Sequence, residues 1–289
     1  MRLLVIGASG LVGSHLLAAA RQAGWATLGT ARTASAELRA CELGDLATFA
    51  SLCAEFRPEV VACAAGFTWA DGCEADPERS RRENLEHPLA VAQFCAQQGV
   101  RFVYYSSAYV FDGARGNYAE TDVPQPVNVY GRHKAEAERR IAAATGGDAL
   151  LLRLIHVWGE EAKGKNFAYQ VSRANRAGEE LRVSSLYSGN PTWAGDIATW
   201  TLGLLQREAR GCWHLAGERP QLTRLAWAQE ILQGLRRWGH PEQVRLVAQA
   251  SIDPAATPRP VASGLDTSKI QTFMPLACRA PHDLPASFR

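Results

Sequence analysis

The chain has 289 residues, of which 47% are hydrophobic and 21% charged, so it is globular and long enough to bury a large core, as one domain or two closely joined ones. A formal net charge of +2 gives no case for nucleic acid or an anionic membrane, and no apolar run is long enough to span a bilayer. The cysteines, seven in number and without a C-x-x-C pair, read as reduced thiols of a cytoplasmic protein, and no histidine spacing suggests a metal ligand set.

Residues 2–6 (RLLVI) read as a short buried strand, followed by Gly7, Gly10 and Gly13 and a helix over 11–23. Strand, glycine turn and helix form a unit in which the backbone comes close to a pyrophosphate and the helix N-terminus meets its charge. Ser9, Leu11 and Val12 complete that candidate cofactor turn. Residues 25–30 read as the second strand. NAD-specific sites place an acid at its end, but here the residue is Arg32, suited to the 2′-phosphate of NADP.

A short strand and a helix ending near residue 56 flank CELGDL at 41–46, where Glu42 or Asp45 is placed to cap the helix or to reach the adenine end of a cofactor. Residues 60–65 form another strand, ending at Ala64 and Ala65, with Gly66 after it. Asp76-Pro77 opens a long helix to residue 98, bent at Pro88. Strands also fall at 102–105, 149–155 and 213–215, and helices at 166–177, 195–206 and 225–238. In the last helix Leu225, Ile231, Leu232, Leu235 and Trp238 are available for one apolar face. The proline-rich segment 251–260 reads as a loop crossing near the cleft. Alternating strands and helices through the first 155 residues predict an α/β, doubly wound parallel sheet with ligands at the carboxyl ends of its strands. Residues 1–155 form the expected dinucleotide-binding domain, with 181–215 returning to it, and 156–289 an interleaved substrate-binding region.

The stretch 102–138 carries the chemistry. Ser106 and Ser107 stand where a strand ends, and a later helix pattern carries Tyr130 and Lys134. Of the seven tyrosines only Tyr130 has a lysine four residues on, a spacing that puts phenol and ammonium on one helical face. A cation beside a phenol lowers its pKa. A Ser hydroxyl, a Tyr acid and a Lys are the parts needed to protonate a carbonyl oxygen while hydride arrives at its carbon.

Eight segments, in one order, carry a family resemblance: GASGLVG at 7–13, RPEVVACAAG at 57–66, ADGCE at 70–74, SSAYVFDG at 106–113, NVYGRHKAEAE at 128–138, GNPTWAGDIA at 189–198, GCWHLAG at 211–217 and RPVASGLDTSK at 259–269. The chain resembles the extended short-chain dehydrogenases/reductases, and among them the dTDP-4-dehydrorhamnose reductases and their relatives. The resemblance implies a proton donor at Tyr130 and a ribose-binding, pKa-tuning lysine at Lys134. It implies a carbonyl-binding hydroxyl at Ser107 and substrate contacts at Tyr109, His156, Thr192 and Arg259. It also implies NADPH as cofactor, with NADH an alternative, and a nucleotide-linked keto sugar as substrate. A homodimer is left open.

The sequence departs from the family pattern at Glu42, at Cys63 where an Asn is usual, at Ala108 where an acid is usual, and at His156 where the rhamnose enzymes carry a Trp. These departures alter the cofactor rim and the sugar pocket while leaving Ser107, Tyr130 and Lys134 in place. Two other readings fit the same fold: a nucleotide-sugar epimerase or dehydratase that holds NAD, and a non-catalytic regulatory subunit like that of methionine adenosyltransferase.

Overall fold

In the computed structural model, which describes residues 1–217 and 221–288, the apolar runs at 2–6, 60–63 and 101–107 become parallel strands that are almost wholly buried. The order along this half is β1 (Arg2–Ile6), α1 (Leu11–Gln22), β2 (Ala26–Ala31), β3 (Leu38–Ala40), α2 (Leu46–Phe56) and β4 (Val60–Cys63). It continues with α3 (Ala70–Ala75), α4 (Pro77–Arg81), α5 (His87–Gln97), β5 (Arg101–Ser107), α6 (Val129–Ala144) and β6 (Leu150–Leu154). The second half adds β7 (Val157–Trp158), α7 (Phe167–Ala177), β8 (Glu180–Ser184), β9 (Ser188–Gly189), β10 (Thr192–Trp193) and α8 (Ala194–Gln206). Last come β11 (Gly211–Leu215), β12 (Leu222–Thr223), α9 (Arg224–Arg237), β13 (Arg245–Gln249) and α10 (Ser268–Phe273).

Seven parallel strands make one sheet in the order β11-β6-β5-β4-β1-β2-β3. Strand order reverses direction between β1 and β4, so the crevice of this doubly wound sheet opens at their carboxyl ends. Alternation along each strand divides the core. Leu3, Val5, Val103 and Tyr105 face α1 and α8, while Leu4, Ile6, Phe102 and Tyr104 face α2, α5 and α6.

Within residues 181–215, α8 packs into the core beside the sheet and β11 pairs with β6 at its edge. β8 lies outside it, paired with β13. Further along, Ile270 of α10 and Met274 pack into the core beneath the sheet. A separate apolar cluster joins α7 to α9 through Val171, Trp227, Ile231 and Leu235. The apolar face of α9 therefore differs from the one expected. Trp227 is buried, whereas Trp238 lies beyond the last turn and is 41% exposed.

The helix expected over 76–98 is interrupted. Asp76 caps α4 by accepting the Arg79 amide at 2.9 Å, with Pro77 in the first turn. Residues 82–86 then form a wide π turn ahead of Pro88. A proline has no N–H for the carbonyl four residues back. That carbonyl, of Asn84, instead accepts the buried Tyr104 hydroxyl at 2.8 Å.

Candidate active site

The glycine turn is held by contacts that admit no side chain. Gly7 has φ +80°, and a Cβ on it would lie 2.7 Å from the Ala65 nitrogen, just past β4. A Cβ on Gly13 would lie 2.3 Å from the Gly7 carbonyl oxygen. The third glycine, Gly10, donates its amide to that same carbonyl at 3.0 Å and stands before α1 with no side-chain cap. The first turn of α1, with Leu11 and Val12, therefore keeps unsatisfied amides beside exposed Ser9, at the sheet's crevice. Ala64 and Ala65 form the facing edge at the end of β4.

Arg32 follows β2 directly and is exposed, with no hydrogen bond or ion pair among the described residues. Glu42 is exposed past β3, further out along the sheet than Arg32. Capping of α2 falls to Asp45, which accepts the Thr48 amide at 3.0 Å.

Ser107 ends β5 and accepts the Tyr109 amide at 3.2 Å, which starts a tight turn. α6 then begins at Asn128, whose side chain accepts the Gly131 amide at 2.8 Å; Glu74 of α3 accepts the Val129 amide at 3.0 Å. A Cβ on Gly131 would come within 2.1 Å of the Tyr109 carbonyl oxygen. Only glycine lets the Tyr109 turn press onto the first turn of α6, and the Tyr109 and Tyr130 rings meet edge to face at 5.8 Å. The Tyr-Gly pair in NVYG is thus a packing requirement beside the phenol. Gly131, Glu74 and Asn84 escaped the sequence reading because their roles depend on partners distant along the chain.

The structure corrects the expected electrostatics of the pair. Lys134 Nζ is 5.9 Å from the Tyr130 ring centre and 4.4 Å from that of Tyr104, and it donates to the Tyr105 carbonyl at 2.8 Å. Burial pushes the Tyr130 phenol up, and the Ser107 hydroxyl opposes that shift. Dehydration, rather than the ammonium, dominates the phenol. Burial likewise pulls Lys134 down to about 8, opposed by Cys63 and Glu138. Tyr130 therefore keeps its proton at neutral pH, and Lys134 is mostly charged there.

The remaining candidates divide. His156 follows β6 with φ 45°, a left-handed conformation that His tolerates better than most residues. Its ring stacks on Trp227 at 5.4 Å, and its Nδ1 is buried without a partner among the described residues. Burial, with the Arg224 charge nearby, holds His156 well below its usual range. Thr192 is turned inward and is 1% exposed. Its hydroxyl donates to the Asn190 carbonyl at 2.8 Å and accepts the Gly217 amide at 3.2 Å. It does not cap α8, and its hydroxyl is engaged within the protein both as donor and as acceptor. Arg259 is half-buried, and its Nη2 donates to both Asp71 oxygens, at 2.7 and 2.8 Å. That pair, with the Asn128 side chain donating to the Pro258 carbonyl at 2.8 Å, lays the proline-rich loop across the start of α6.

Residues 1–281 match the family described as "RmlD substrate binding domain". The chain belongs to this family. It is 31% identical to the probable low-salt glycan biosynthesis reductase Agl14 of Haloferax volcanii, over 97% of this chain and 94% of that one. It is 36% identical to a dTDP-4-dehydrorhamnose reductase of Burkholderia thailandensis, over 73% of this chain and 67% of the relative. Methionine adenosyltransferase 2 subunit beta of Xenopus laevis is similar too, at 27% identity over 93% of this chain and 81% of that one. Among solved structures, the dTDP-4-dehydrorhamnose reductase of Bacillus anthracis in complex with NADP superposes with a TM-score of 0.87 at 20% identity, covering 98% of this chain and 96% of that one. The Rossmann-like α/β fold of the family is the fold of this chain.

Proposed function

We propose that this chain uses NADPH, with NADH the weaker alternative, to reduce a keto group on a nucleotide-linked sugar. The observation that carries the reading is the position of Tyr130, Lys134 and the Ser107 hydroxyl at the carboxyl end of β5, in a chain whose relatives include reductases of this class. A dinucleotide fits the residues present: the crowded glycine turn, the uncapped N-terminus of α1 and the free Arg32 suit its pyrophosphate and 2′-phosphate.

When bound, the dinucleotide supplies hydride to the carbonyl carbon. Ser107 donates a hydrogen bond to the carbonyl oxygen and holds it toward Tyr130. Tyr130, protonated at neutral pH, delivers its proton to that oxygen, so the ketone becomes an alcohol. Lys134 has donors left over beyond the Tyr105 carbonyl; these hold the ribose hydroxyls, and its charge favours the phenolate left behind. Five of the cysteines are buried free thiols and two are half-buried free thiols, which fits a reducing cytoplasm.

The test is NADPH oxidation by purified protein across a panel of 4-keto sugars linked to dTDP, UDP and GDP. Turnover of at least one member is expected. Protein that binds NADPH yet oxidises none of them overturns the reading in favour of a non-catalytic subunit; the Xenopus laevis relative is named as a subunit of methionine adenosyltransferase 2. Protein that carries NAD through purification points instead to an epimerase or dehydratase.

A further inference from the structure

Arg224 occupies the first position of α9, and its guanidinium carbon lies 4.7 Å from the Phe167 ring centre and 5.1 Å from that of Trp227. Among the described residues its side chain has no carboxylate and no hydrogen-bond acceptor. The charged or ionisable groups that reach it are the Tyr109 phenol, the Arg259 cation and the His156 ring. Arg259 is already matched by Asp71, and His156 is held neutral. Among the described residues Arg224 is therefore the unmatched positive charge of this wall. Arg224 is half-buried, and ring contacts recover only part of the cost of drawing a guanidinium away from water, so an anion would complete the wall formed by the described residues.

The position of the wall says where that anion belongs. Tyr109 packs against Tyr130. His156 follows β6, the strand next to β5, and stacks on the same Trp227 that carries Arg224. Arg224 thus faces the substrate side of the crevice, away from the glycine turn at the other end of the site. The buried, unpartnered Nδ1 of His156 is a second polar group without a partner on this wall. Arg224 and Trp227 are adjacent to the one departure from the family that replaces a flat apolar ring by an imidazole.

We propose that Arg224 is the seat of an oxyanion carried by the substrate, flanked by Tyr109 and His156 on the Trp227 wall. The inference rests on the reading of the substrate as a nucleotide-linked sugar, which offers two such groups: its diphosphate and, in an acidic sugar, a ring carboxylate. Arg224 presents a planar fork that matches either one with paired hydrogen bonds.

The test is equilibrium binding of UDP, dTDP, UDP-glucose, UDP-glucuronate and inorganic pyrophosphate to NADP⁺-loaded protein. No turnover is required, so a failed keto-sugar screen and a failed oxyanion seat are read separately. Arg224→Met keeps length and packing on the two rings and removes the charge; Arg224→Lys keeps the charge without the fork. Loss of at least tenfold in affinity is expected for Arg224→Met, with Arg224→Lys between it and wild type. Loss on UDP, dTDP or pyrophosphate assigns the seat to the diphosphate; loss confined to UDP-glucuronate assigns it to a ring carboxylate. Wild-type affinity should also fall as salt rises, a reading that needs no variant to fold. Wild type that binds none of these ligands, affinity that ignores salt, or an Arg224→Met protein that binds every ligand as wild type does would each overturn the proposal.

Discussion

At the residue scale the proposed chemistry depends on a proton held in place and a cation on the edge of losing one. Tyr130→Phe keeps the ring against Tyr109 and removes only the hydroxyl. The expected outcome is a kcat lower by about 10²–10⁴ with NADPH affinity unchanged. Turnover near that of wild type would show that another group donates the proton. Lys134 gives the pH dependence. Its folded-state pKa is drawn down to about 8 by burial, so the charge proposed to hold the ribose is present below that pH and lost above it. kcat/KM for NADPH, which reports the free protein, should therefore decline as pH rises through about 8. Lys134→Arg keeps a charge at all these pH values and should remove that decline. The same shift affects stability with the opposite sense. Between about 8 and the ordinary 10.5 the unfolded chain holds a proton that the folded chain does not, so stability rises with pH there by way of this group. The i, i+4 spacing made the Tyr–Lys pair legible in sequence; the direction of the Tyr130 shift was not, because burial by residues distant in sequence decides it.

At the scale of elements, α6 is tied to the sheet by a buried ion pair. Glu138, on α6, accepts three hydrogen bonds from the Arg153 guanidinium of β6, the shortest at 2.7 Å, and both side chains are at most 7% exposed. Arg153 also donates to His214 Nε2 at 3.4 Å, so the His214 proton is on Nδ1, facing the Asp266 carbonyl at 3.1 Å. Burial and the Arg153 charge hold His214 down to about 3, which keeps this arrangement neutral on the His across the physiological range. Glu138→Gln removes one charge and leaves the other buried, a change that costs about 3–5 kcal/mol. Denaturant unfolding should show that loss, and an unchanged midpoint would mean that the pair is solvated. Here the element sequence was legible and its joints were not. The central strands β1, β4, β5 and β6 appear where the apolar runs predict them, because burial on both faces leaves a continuous signal. α3 went unread since ADGCEA is short and carries no apolar stripe. The π turn before Pro88 went unread as well, since the proline predicts a bend but the Tyr104 hydroxyl that stabilises it comes from β5.

For the whole molecule, membership of the central sheet does not follow chain order. α8, β11 and α10 return to the sheet, while β8 and β13 pair outside it. Chain order hides this, because the pairing of β8 with β13 joins residues far apart in sequence through a short, half-exposed strand. A dinucleotide held at the crevice, as proposed, would be linked to global stability. A ligand that binds only the folded state at 100 times its Kd stabilises by about 2.7 kcal/mol, and one bound tenfold more weakly at the same concentration by about 1.4 kcal/mol. Arg32, exposed at the end of β2 and unpaired among the described residues, is the proposed source of such a difference between NADPH and NADH. A guanidinium meets a 2′-phosphate with paired, charge-assisted hydrogen bonds, while solvent at the rim keeps the gain toward the low end. Thermal unfolding with each cofactor, and titrated dissociation constants, should show NADPH favoured by about tenfold, or about 1.4 kcal/mol. Arg32→Ala should bring the two cofactors close to parity while leaving the NADH value nearly as it was, since NADH has no phosphate for Arg32 to meet. Equal affinities in wild type, or a preference that survives the substitution, would make Arg32 a solvated loop cation and move the choice of cofactor elsewhere on the crevice rim.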